Sequence, residues 1–271
     1  MAKEGDSIKV ITPRTYAKNL EKSQKEFSKR LRDYLKDPKE ENVHDLRTSL
    51  RRIIAITDVL PRKIRRKGKS QDRISDYQKL LKLNAKVRDM DIILSKIATY
   101  EGDNDISQLV KKLEKNRESD LKAAQKFAAS LVRSDEFEVE PNRLPPSALR
   151  KRFSKIVERL GAKVDERLPV VLKQPEKKEE LHRLREDSRR LRYTLELDDS
   201  QESDKIKVLE SWQDVLGAIH DTDIFTAYFE GAKKKAGNIG ALLAREMKSR
   251  DDNYERFRSV AKETPSFRGI G

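Results

Sequence analysis

The strongest constraint on the fold is a ten-residue segment written twice. "VHDLRTSLRR" at 43–52 returns as "LHRLREDSRR" at 181–190, pairing His44 with His182, Leu46 with Leu184, Arg47 with Arg185, Arg51 with Arg189 and Arg52 with Arg190. A second motif follows each copy: "RDMDI" at 88–92 answers "HDTDI" at 220–224, pairing Asp89 with Asp221, Asp91 with Asp223 and Ile92 with Ile224. The first pairing is offset by 138 residues and the second by 132, so the first half carries six extra residues between its motifs, and the basic stretch at 61–69 has room for them. A repeat of this length reads as internal duplication of a helical unit whose copies pack against each other.

Helix signals fill the rest of the chain. Thr12 as N-cap and Pro13 at the first position open a helix over 13–36, with Leu20, Phe27, Leu31 and Leu35 as its apolar stripe. Asp37, Pro38 and Glu40 carry the signature of a capping box, which predicts a second helix from 38 to 60, closed by Pro61. Third and fourth helices are expected over 70–99 and 104–133. The stretch "SDEFEVEPNRLPPS", with three prolines, reads as a linker, and four more helices follow over 146–168, 176–197, 203–231 and 237–263. Period-two alternation is missing beyond a short piece at 135–140. The fold class is therefore all-α: one four-helix bundle in residues 1–134, a linker at 135–145, and a second bundle in 146–271, related by a pseudo-two-fold axis.

The repeated helix has two distinct sides. At about 100° per residue, His182, Arg185, Arg189 and Arg192 share one face while Leu181, Leu184, Leu191 and Leu195 share the adjacent one. The first copy does the same with His44, Arg47 and Arg51 against Leu46, Leu50, Ile53 and Leu60, but has Ile54 where the second has Arg192. Arg52 and Arg190 lie at the edge of the cationic side. Arginines one turn apart are separated by about 6 Å along the axis, and each guanidinium can grip phosphate oxygens bidentately. Such a row suits a ligand with closely spaced phosphates. The competing use of these arginines is salt bridging, for which Asp89, Asp91, Asp221 and Asp223 are the available acids. A D-x-D pair can also hold a metal, but positions i and i+2 do not share a helix face, and His220 stands where the first copy has Arg88. The histidines are packing residues or ligand contacts; their recurrence at one place in both copies favours contact. On the first helix, Lys18, Lys22, Lys25, Lys29, Arg32 and Lys36 form a further basic row, read as a solvated face or as an extension of the binding surface.

Composition narrows the functions. Lys and Arg number 61 against 47 Asp and Glu, a net charge of +14, so partners are polyanions: nucleic acid, an anionic surface or polyphosphate. The chain has no cysteine, which excludes disulfides, zinc ribbons and thiol chemistry. No apolar run spans a bilayer and no signal peptide is recognisable, which predicts a cytoplasmic protein without membrane contact. No Gly-rich phosphate loop, metal-spaced carboxylate cluster or nucleophile–base pair is present, and only 6% of residues are aromatic, too few to build an evident stacking platform for single strands.

On "VHDLRTSLRR", "RDMDI", "LHRLREDSRRLRYTLEL" and "WQDVLGAIHDTDI" the chain resembles the CHAD family, the conserved-histidine α-helical domain, over about 13–263. The resemblance implies two four-helix bundles enclosing a basic cleft that binds inorganic polyphosphate. Its contacts map onto His44, Arg47, Arg51 and Arg52 in the first copy and His182, Arg185, Arg189, Arg190 and Arg192 in the second. Ile54, and the acids Glu186 and Asp187 beside the second stripe, depart from the family pattern. Some members are fused to a catalytic triphosphate-tunnel domain, for which this sequence has no counterpart. The expectation is a non-catalytic polyphosphate binder in the cytoplasm, associated with polyphosphate granules, needing no cofactor or metal. Phosphohydrolase or phosphoryl-transfer chemistry through the paired histidines, and nucleic-acid binding, are the alternatives.

Overall fold

A computed structural model describes residues 11–99, 106–132, 138–198, 204–232, 240–262, 264 and 266–268. Among them the chain is helical throughout, without strands: α1 (Pro13–Lys36), α2 (Glu40–Asp58), a single turn α3 (Arg62–Arg65), α4 (Gly68–Ala98), α5 (Ile106–Val132), α6 (Pro146–Lys173), α7 (Lys178–Leu195), α8 (Asp204–Ala232) and α9 (Gly240–Ala261). Of the expected strand piece, 138–140 are irregular and 135–137 lie outside the described residues.

The first helix begins as its sequence dictates. Thr12 accepts a hydrogen bond from the backbone N–H of Thr15 at 3.1 Å, and Pro13 occupies the first turn, where its missing N–H costs nothing. Tyr16, Leu20, Phe27, Leu31 and Tyr34 then recur at three-, four- and seven-residue spacing and are buried. The second helix departs from expectation. It starts at Glu40, its N-cap is Lys39 without a side-chain bond, and Asp37 instead closes α1. No capping box forms because Glu40 turns outward to Arg88, 2.7 Å away. The basic stretch at 61–69, between two expected helices, contains α3, too short to produce a periodic pattern. The fifth expected helix runs past its predicted end at 168 and incorporates Pro169. Buried Val171 and the bond from Tyr254 Oη to the Val171 carbonyl, at 2.6 Å, hold that extra turn against α9.

Within each half, consecutive long helices pack on one another. In the first, α1 lies on α2, α2 on α4, α4 on α5, and α5 returns to α1; in the second, α6 lies on α7, α7 on α8 and α8 on α9. The halves meet through α2 against α7 and α4 against α8. One apolar cluster runs through both, from Phe27 and Leu50 to Leu184, Trp212 and Phe257, and a smaller one joins Ile93, Ile97 and Leu113 to Phe225, Phe229 and Leu242. Helices α4 and α8 carry no single apolar stripe because each is covered on both sides. The C-terminal stretch closes over α6: Phe267 is fully buried against Trp212, and Asp165 accepts from the backbone N–H groups of Phe267 and Arg268 at 2.9 and 3.0 Å.

Candidate anion-binding site

The two copies of the repeated motif fall on α2 and α7, the helices that meet at the seam. With Leu46, Leu50 and Ile53 buried on one side and Leu181, Leu184 and Leu191 buried on the other, the arginine sides have only the space between the halves left to occupy. There they line one cavity of about 400 Å³, bordered by His44, Arg47 and Arg51 of α2, Arg185, Arg189 and Tyr193 of α7, Arg88 and Asp89 of α4, and Gln213, His220 and Asp221 of α8.

The cavity is electrostatically lopsided. Arg47 is anchored by donating to the Leu81 carbonyl at 2.9 Å, while its Nε is buried without a partner. Arg51, Arg185 and Arg189 make no hydrogen bond or ion pair with any described residue, and the Arg185 Nε is likewise buried without a partner. Burial, then repulsion by Arg189, Arg47 and Arg185, pulls the Arg51 guanidinium down to about 8. Burial, then Arg189, pulls Arg185 down to about 10; burial and the neighbouring Asp89, Arg189 and Arg88 leave Arg47 at about 10; burial lowers Arg189 as well. Arg47, Arg51 and Arg185 remain predominantly protonated at neutral pH. Desolvated charges crowded against like charges are costly unless an opposite charge joins them, so this arrangement favours an anion. The cavity's own carboxylates, Asp89, Asp214 and Asp221, form no ion pair with Arg51, Arg185 or Arg189: burial raises both Asp89 and Asp221, and Asp221 reaches Arg88 only at 4.0 Å.

Four of the nine expected contacts lie elsewhere. Arg52 lines a different groove, bridges Glu196 at 3.4 Å and covers the Tyr193 ring. Arg192 bridges Glu210 at 2.9 Å and Glu196 at 3.5 Å. Arg190 is paired with buried Asp58. His182 stands behind the lining, its Nδ1 3.2 Å from the Nδ1 of His220 and its Nε2 3.4 Å from Glu186, whose carboxyl it holds down at about 2.

The aspartate motifs split by position. Asp91 pairs with Arg117 of α5, which also donates to the Pro38 carbonyl at 2.8 Å ahead of α2. Asp223 pairs with Arg250 of α9 at 2.7 Å, and that arginine donates to the Pro175 carbonyl at 3.1 Å ahead of α7. The second aspartate of each motif is thus a brace that fixes the start of the arginine helix, with partners other than the stripe arginines named above. Only the first faces the cavity, as i and i+2 geometry requires. Arg88, Tyr193 and Gln213 were not among the expected contacts. Arg88 adjoins the first aspartate motif and Tyr193 lies one turn beyond Arg189, so both were within reach of the pattern; Gln213 carries no such signal. Among the described residues, no three His, Asp or Glu side chains cluster as metal ligands.

The profile of the CHAD domain family matches residues 17–230. Among solved structures, the CHAD domain from the plant Ricinus communis superimposes with a TM-score of 0.63 at 14% identity, covering 98% of this chain and 96% of the other. PptA from Streptomyces chartreusis superimposes with a TM-score of 0.61 at 17% identity, covering 93% and 99%. No curated protein sequence matches the chain.

Proposed function

The chain belongs to the CHAD domain family, and on that premise we propose that its central cavity binds inorganic polyphosphate without catalysing its turnover. The observation that carries this reading is the presence in one cavity of three arginines, Arg51, Arg185 and Arg189, that make no hydrogen bond or ion pair with any described residue. A linear anion with a charge on every phosphate answers several guanidiniums at once, and each contact is charge-assisted and bidentate. Arg47 and Arg88 extend the row, Gln213 and Tyr193 offer neutral groups, and His44 stands exposed at the edge.

A binding role without chemistry fits the residues on hand. No serine or carboxylate in the lining is paired with a base, and the central histidines face each other rather than a nucleophile. No described helix is long and apolar enough to cross a membrane; the setting proposed for this binding is the cytoplasm, at polyphosphate granules. The test is incubation of long-chain polyphosphate with the protein and Mg²⁺ or Mn²⁺, followed by chain-length analysis beside a titration of the same sample. Binding with unchanged chain length supports the reading. Shortening abolished by His44→Ala with His182→Ala would replace it with an enzyme, and tighter binding of duplex or single-stranded nucleic acid at matched ionic strength would replace it with a nucleic-acid binder.

A further inference from the structure

A second cationic cavity, of about 490 Å³, lies at the end of α2 away from His44. Arg62, Arg65 and Arg66 of the α3 turn and Arg152 and Lys155 of α6 line it, and no carboxylate does. Its size is that of a small-molecule site.

A basic turn on a surface is ordinarily solvated, but this one is built differently. Arg62, Arg65 and Arg66 sit at i, i+3 and i+4, the spacing that places side chains on one helical face, whereas Lys63, Lys67 and Lys69 of the same stretch do not line the cavity. The turn is fixed in place. Ile64 packs on the main apolar cluster, and Gly68 takes a φ of +43°, a conformation other residues resist, to redirect the chain into α4. Buried Asp58 anchors the floor: it takes Arg65 at 2.7 Å and also Arg190, while its backbone carbonyl accepts from Arg152 Nε at 3.0 Å. With Asp58 thus neutralised, Arg62, Arg66 and Lys155 are surplus, since none of their side chains bonds or pairs with a described residue. Arg62 and Arg66 fall in the basic stretch at 61–69, which has room for the extra residues of the first half, so the repeated architecture does not itself demand them.

From this we infer that the α3–α6 cavity is a second and separate site, taking a compact anion with two or three adjacent phosphate groups, free in solution. Two guanidiniums and an ammonium aimed at one small volume match clustered phosphate oxygens better than a single carboxylate. The site stands on its own residues and does not depend on what fills the central cavity.

Tripolyphosphate titrated calorimetrically into the full chain tests this. The wild type should show two classes of binding. Arg62→Ala, Arg66→Ala and Lys155→Ala together should weaken one class by roughly tenfold or more, leaving the helical circular dichroism unchanged because all three side chains are exposed and unbonded. Arg51→Gln with Arg189→Gln should remove the other class. A single class that vanishes in the peripheral variant but survives the central one supports the second site even if the central reading fails. An isotherm untouched by the peripheral substitutions overturns the proposal. So does an effect confined to long-chain polyphosphate, which would make the surface an extension of the central path, or equal displacement by sulfate at the same ionic strength, which would make it diffuse attraction.

Discussion

His182 and His220 face each other through their Nδ1 atoms at 3.2 Å, across the contact between α7 and α8. One ring must donate and the other accept, so the pair is satisfied only while at least one imidazole is neutral. His220 is that one: burial foremost, then Arg185, His182 and Arg189, hold it down at about 3.

This gives acid sensitivity a defined sign. An unfolded histidine titrates near 6.5, so between about 6.5 and 3 the unfolded chain holds a proton that folded His220 lacks, and stability falls as the pH drops through that window. Above it this group contributes no pH dependence. Thermal midpoints measured from pH 7 to 5 should fall more steeply in the wild type than in His220→Gln. Bound phosphates oppose the same repulsion and favour the protonated ring, so polyphosphate affinity should rise with acidification, with proton uptake visible as a dependence of binding heat on buffer.

The uncompensated arginines trade stability for binding. Arg51→Gln removes a charge pressed against Arg189, Arg47 and Arg185 and should raise the stability of the unliganded protein by about 1 kcal/mol, a gain of roughly 2–4 °C in a chain of this size. Polyphosphate affinity should fall by roughly tenfold through loss of a charged hydrogen bond. A lower midpoint in differential scanning calorimetry would contradict the account of this site.

Aspartates two residues apart should behave oppositely. Asp91→Ala strands Arg117, and Asp223→Ala strands Arg250; each should cost about 3 kcal/mol, as when one partner of a buried pair is removed. Asp221→Asn removes a carboxylate from the cavity itself and should leave the fold intact while tightening polyphosphate binding severalfold. Chemical denaturation and titration on the same four proteins separate bracing from binding.

At the far end of the second half, Gly161→Ala would set a Cβ 2.3 Å from the Phe267 carbonyl oxygen. Backbone must move to relieve that contact, at about 1–3 kcal/mol, and Asp165→Ala should destabilise the same closure by untying Phe267 and Arg268. Neither should alter polyphosphate affinity, which a titration below the lowered midpoint can verify.

What the sequence disclosed and what it concealed divide along one physical line. Periodicity and duplication are local patterns, so the helices, the leucine and arginine sides of α2 and α7, and the candidate row of Arg47, Arg51, Arg185 and Arg189 could be read from them. The fates of Arg190 and Arg192 depend on acids brought by other helices, Asp58 from 132 residues away in one case and Glu210 in the other. No stripe on α7 announces them. Arg117 and Arg250 were hidden for the same reason, since each is an ordinary charge on an ordinary helix until it meets its aspartate. The capping signature at Asp37 failed because Glu40 had a stronger partner in Arg88, and α3 was missed because one turn is too short to show a period.

Polyphosphate binding by the central arginines can be measured by titrating long-chain polyphosphate into the wild type and into Arg51→Gln/Arg185→Gln/Arg189→Gln over a series of salt concentrations. Wild-type binding should have a logarithmic affinity that falls steeply and linearly with the logarithm of salt, as counterions are released from a polyanion. The variant should remain folded, bind at least tenfold more weakly at low salt and show a shallower slope. No binding by the wild type at low salt, or a variant with undiminished affinity and slope, would contradict polyphosphate binding by these arginines.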